Sequence, residues 1–122
     1  MARMIAPARA LPIVHAFLAG QVLTRTEETI AVRYTLQEFA RAHPGRSVEI
    51  RIPPAGAIQA IAGPVHTRGT PANVVETDAH TWLQLALGQE SFHAARTRGL
   101  VHCSGSRADL EEFLPVMSLK RP

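Results

Sequence analysis

The run Val74-Val75-Glu76-Thr77-Asp78-Ala79-His80-Thr81-Trp82-Leu83-Gln84-Leu85-Ala86-Leu87-Gly88 does most to limit what this chain can fold into. A short branched stretch, 73–76, reads as a strand. An apolar helix over 79–87 follows at once, capped by Thr77 or Asp78 and stopped by Gly88. Trp82, Leu85 and Ala86 share one face of that helix, and Leu83 and Leu87 the adjacent one. A helix apolar over more than half its circumference must be buried on two sides. Ser91 then caps a second short helix over 92–97, Gly99 ends it, and 100–104 returns as a strand.

The residues upstream supply the layers that such a helix needs. Residues 10–19 carry Val14, Phe17 and Leu18 at helical spacing before Gly20. After a polar loop around Thr24 and Thr26, residues 28–42 place Val32, Leu36, Phe39 and Ala40 on one face, closed by Pro44-Gly45. In 47–52 strict alternation sets Val48, Ile50 and Ile52 against Ser47, Glu49 and Arg51, the pattern of a half-buried strand. Pro53-Pro54-Ala55-Gly56 turns the chain into a second strand over 57–62, so the pair reads as an antiparallel hairpin. The small residues Ala57, Ala60 and Ala62 leave space on a sheet face, which neighbouring side chains or a ligand would fill. Ser106-Arg107-Ala108-Asp109 has the form of a capping box and predicts a last helix carrying Leu110, Phe113 and Leu114. The sum is an α+β domain, a small mainly antiparallel sheet covered on one face by helices.

A chain of 122 residues buries roughly 65–70% of its unfolded surface, enough for one core without staples. Residues 1–122 are accordingly read as one domain, with 1–9 loosely held. The net charge is +3, yet the basic residues fall mostly singly along the chain and form no stripe, which argues against nucleic acid as a partner. Cys103 is the lone cysteine, so no intrachain disulfide forms. The apolar stretch 11–19 is interrupted by Pro12 and His15 and is too short to span a bilayer, so stable membrane insertion is not expected. A cytoplasmic location is the expectation, and the oligomeric state stays open, a homodimer included.

The order strand, helix, Gly88, short helix, Gly99, strand, Gly105, helix over 73–117 resembles the C-terminal half of sterol carrier protein type 2 domains. A narrower resemblance runs through nearly the whole chain. Ala31-Val32-Arg33-Tyr34-Thr35-Leu36, Pro44-Gly45-Arg46-Ser47-Val48-Glu49, Arg68-Gly69-Thr70-Pro71 and Asn73-Val74-Val75-Glu76-Thr77-Asp78 look like the compact sterol carrier family proteins of actinobacteria. The resemblance implies a lipid or other apolar ligand, fatty acyl or sterol-like, held between sheet and helices without chemistry and without a cofactor. The alternative is an interaction or accessory domain that keeps the fold with its cavity filled.

A carrier site needs an apolar lining and a few polar groups at its mouth. Trp82, Leu85 and Phe92 are the candidate lining, although an ordinary core explains them equally well. Arg68 is the candidate head-group contact, since Gly69 permits close backbone approach and a guanidinium binds carboxylate or phosphate through two prongs. Thr70 belongs to the same motif, and Asn73 follows it. Arg68 could equally pair with Glu76 or Asp78 to pin the loop.

Catalytic patterns are weak. His102 and Cys103 are neighbours on a strand and point to opposite faces, so they do not form a thiolate pair by themselves. The six histidines show neither an i, i+4 pair on one helix nor a His-x-His on a strand, so no zinc site is expected. No glycine-rich phosphate loop follows a strand, and no serine elbow is present. No enzymatic activity is expected.

Overall fold

Residues 4–65 and 73–119 are described by the computed structural model. The chain runs α1 (Pro7–Leu18), α2 (Arg25–Ala42), β1 (Val48–Ile52), β2 (Gly56–Ala60), β3 (Asn73–Thr77), α3 (Ala79–Ala86), α4 (Phe92–Thr97) and β4 (Val101–Ser104), and ends in a 3₁₀ turn at Glu111–Phe113. The four strands lie in the order β2-β1-β3-β4. Both outer pairings are antiparallel and the central β1·β3 pairing is parallel, with Val48 opposite Asn73 and Ile50 opposite Val75.

This register sorts the side chains of the sheet. Val48, Ile50, Ile52, Ala60, Val75 and Val101 are buried under the helices. Gln59, Glu49, Val74 and Ser104 form one row on the opposite face, and Ala57, Arg51, Glu76 and His102 form the next. That face carries the charges and leaves the core to the other, as period-two alternation dictates. Ala57 therefore stands exposed among polar neighbours while Ala60 is buried, so the small residues of β2 do not line a common space. The strand also ends at Ala60, two residues before its expected limit, because Ile61 turns to a positive φ of 69°.

α2 is the central helix of the covering layer. Thr24 and Glu27 form a reciprocal capping box at its start, so the helix opens at Arg25, three residues before the apolar pattern alone indicates. It packs against α1, α3 and β2, burying Val32, Leu36 and Phe39. On its outer side Arg33 Nε donates to the carbonyl of Ala55 at 2.6 Å and ties the hairpin turn to the helix.

α1 also starts earlier than the sequence pattern indicates. Pro7 occupies its first turn, where a missing N–H costs nothing, and Ile5 just before it is fastened through both backbone groups to the side chain of Gln37. The predicted last helix does not form. Asn73 Oδ1 takes the N–H of Arg107, and the carboxylate of Asp109 accepts from the N–H of Glu111 two residues on, which leaves only the 3₁₀ turn. The segment beyond crosses the end of α3, where the N–H groups of Val116 and Met117 both donate to the carbonyl of Ala86.

Candidate functional site

The space between the sheet and the helices is occupied by the chain's own side chains. Trp82, Phe39, Phe92, Leu36, Ile50, Leu83 and Leu85 are each almost wholly buried. Trp82 and Phe39 meet edge to face with centroids 6.1 Å apart, and the indole Nε1 donates to the hydroxyl of Thr35 at 2.8 Å. Close packing with every buried polar atom satisfied is how a solid core is built, and among the described residues no buried side-chain polar atom lacks a partner.

The expected site residues fall in different places. Arg68, Gly69 and Thr70 lie outside the described residues. Asn73 is 2% exposed, and both ends of its amide serve the backbone, Nδ2 donating to the Ser47 carbonyl at 3.0 Å and Oδ1 accepting from Arg107 N–H at 2.7 Å. It clasps the start of β1 to the segment after β4. Trp82 lies in the core. Leu85 and Phe92 do come together, at the floor of a cleft of about 220 Å³ whose walls include Glu90, Glu111 and Leu114.

A larger groove, about 500 Å³, opens on the helical layer. Its apolar surface comes from Phe17 and Leu18 at the end of α1 and from Val22 and Leu23 in the connection to α2. Gln21, Glu28, His80 and Gln89 supply the polar groups. Two helix ends place these residues. α1 closes with Gly20 at φ 82°, the N–H of Gln21 reaching the carbonyl of Ala16 and that of Gly20 the carbonyl of Phe17. This Schellman closure reverses the chain and swings residues 21–23 over the end of the helix. α3 ends the same way at Gly88, which delivers Gln89 to the opposite wall. The rings of Phe17 and His80 stand 5.3 Å apart, tilted by 58°, and join the α1 side of the groove to the first turn of α3.

Within this apolar surface Leu18 is buried, Phe17 and Leu23 are half-buried, and Val22 is the exposed member. Val22 is 96% exposed although the chain has an interior to bury it in. Among the described residues Glu28 is the only Asp, Glu, Lys or Arg in the lining, and its carboxylate makes no ion pair with any of them. The groove can take up a flexible apolar group and offer hydrogen bonds at its edge. Val22, Leu23, His80 and Gln89 were not singled out by the sequence pattern, and Phe17 stood there only as part of an apolar helix face. The apolar pair Val22-Leu23 just after a glycine stop was the one local signal available.

Elsewhere the chemistry is modest. Burial pushes the Cys103 thiol up from its ordinary value, so it is held as a weak nucleophile in its protonated form. Its neighbour His102 stands on the exposed sheet face. No group of His, Cys, Asp and Glu suited to a metal ion occurs among the described residues. None of the helices among them is long and apolar enough to cross a membrane.

No curated protein matches the chain. The family described as bacterial SCP ortholog, SCP standing for sterol carrier protein, matches residues 24–116. That span takes in α2, the whole sheet, α3 and α4, and begins just after the residues of α1 and its connection that form the apolar side of the groove. With α2, the four-stranded sheet, α3 and α4 all inside the matched span, the chain belongs to the bacterial sterol carrier protein ortholog family.

Proposed function

We propose that this protein binds and carries an apolar small molecule, and that it does so in the groove between the α1–α2 connection and α3. The observation that carries the reading is the groove itself, with Phe17, Val22 and Leu23 presenting apolar surface to solvent in a space of about 500 Å³. That volume falls within the range of small-molecule sites, roughly 300–1,000 Å³. Membership in a sterol carrier family supports an apolar cargo. The groove takes the place of a chamber between sheet and helices, because Trp82, Phe39 and their neighbours occupy that interior. No chemical step is assigned to the site, and the protonated Cys103 supports a carrier without covalent chemistry.

Native mass spectrometry of the freshly purified protein tests this. A stoichiometric apolar adduct that survives in the wild type and is lost in Val22→Glu supports carriage in the groove. A clean apo mass, together with no rise in melting temperature on adding decanol or fatty acid, removes it, since a ligand that binds only the native state must stabilise it. A second reading, an interaction module of the same fold, draws on the filled interior around Trp82 and Thr35 and is what that negative result would favour.

A further inference from the structure

Resting on the groove reading, we infer that the site is selective for an amphiphilic amine, an apolar chain ending in an ammonium group, over a fatty acid or a phosphate-bearing lipid. The lining holds one fixed charge, the carboxylate of Glu28, and contains neither lysine nor arginine among the described residues. Glu28 makes no ion pair there. Helix α2 does not need it for capping, because Thr24 and Glu27 already close that terminus reciprocally. The N-terminus of α3, next to His80, is likewise occupied, with Asp78 accepting from both the N–H and the hydroxyl of Thr81. Neither helix end therefore presents a free anion site.

The remaining polar groups are amides and an imidazole. Gln21 and Gln89 offer carbonyl oxygens that accept from an ammonium, and Glu28 supplies its counter-charge. A carboxylate placed at the same spot meets Glu28 as a like charge and finds no lysine or arginine among the described lining residues. The overall net charge of +3 works in the opposite direction, favouring anions. A preference for amines would thus arise from the groove and not from the molecule as a whole.

Isothermal titration of the full chain near neutral pH with decylamine, decanol and decanoate, each below its micelle concentration, tests the inference. The expected order is decylamine tightest and decanoate weakest, with about a fivefold or greater gap between the charged pair. Glu28→Gln should bring decylamine down to the affinity of decanol. Decanoate binding as tightly as decylamine, or a decylamine affinity indifferent to Glu28→Gln, overturns the selectivity while leaving the groove as a site. Failure of all three to bind overturns the groove reading and the selectivity with it.

Discussion

The indole of Trp82 donates to the hydroxyl of Thr35 at 2.8 Å, across 47 positions of sequence, and this bond lies in the fully buried contact between α3 and α2. The single hydroxyl proton of Thr35 is shared between the carbonyls of Ala31 and Val32, at 2.8 and 2.9 Å, so its oxygen is held in position to accept. Replacing it with valine keeps the shape and removes the acceptor, leaving a buried N–H without a partner. Thr35→Val should lose about 1–3 kcal/mol in urea unfolding. A loss within a few tenths of a kcal/mol would mean that the indole finds another acceptor, or water, and that the interior is less tightly filled than described.

Gly45 faces the backbone of Ile61 so closely that a methyl group on it would overlap the Ile61 carbonyl. Its φ of 150° adds conformational cost for any other residue. The same carbonyl accepts from both the N–H and the hydroxyl of Ser47, and Ile61 N–H donates to His43, so the clash cannot be relieved by moving one loop. Gly45→Ala should destabilise by about 2–4 kcal/mol, read from the denaturation midpoint. An unchanged midpoint would contradict the close approach.

His93 bridges α4 to the segment that follows β4. Its Nε2 lies 2.9 Å from Asp109, and its backbone N–H donates to Glu111 at 2.9 Å. The hydrogen bond to Asp109 raises the imidazole above its ordinary 6.5, and the charges of Asp109 and Glu111 add to that while Arg96 opposes it. Asp109 is lowered below its ordinary 3.8, first by the same bond. The histidine's contribution is complete below 6.5 and is lost as pH rises through its raised value. The aspartate's is complete above 3.8 and is lost as pH falls through its lowered value. His93→Ala should therefore lower the melting temperature more at pH near 5 than at pH near 9. An equal loss at both would show that the imidazole acts through packing alone.

Much of this fold is written in local pattern. The cap and stop residues Asp78, Gly88, Ser91 and Gly99 mark α3 and α4 to within a residue, and the alternation of Val48, Ile50 and Ile52 marks β1 and its buried face. The last helix is misread because a distant partner uses the local signal. Ser106 to Asp109 has the form of a capping box, yet Asn73 takes the N–H of Arg107 and Asp109 turns to His93 and Glu111. The site is less legible for the same reason. Leu85 and Phe92 share a cleft as neighbours in space, but the groove joins residues 17–23 to Glu28, His80 and Gln89, and no periodicity within any one segment encodes that meeting.

Val22 contributes apolar surface to the groove and almost nothing to the core. Val22→Glu should leave the melting temperature of the ligand-free protein within about 1–2 °C of wild type, as for other surface changes below about 0.5 kcal/mol. The stabilisation that decanol gives the wild type should disappear in it. Retained stabilisation would place the bound chain elsewhere.

Amide chemical-shift mapping during a titration with decanol locates the apolar ligand on the protein. With the ligand in the groove the largest shifts fall at Phe17, Gln21, Val22 and Leu23, with smaller ones at Glu28, His80 and Gln89, and little change in β1 or around Trp82. Shifts centred on Trp82, Leu36 and Ile50 would show that the ligand enters between sheet and helices, and would contradict its placement in the groove.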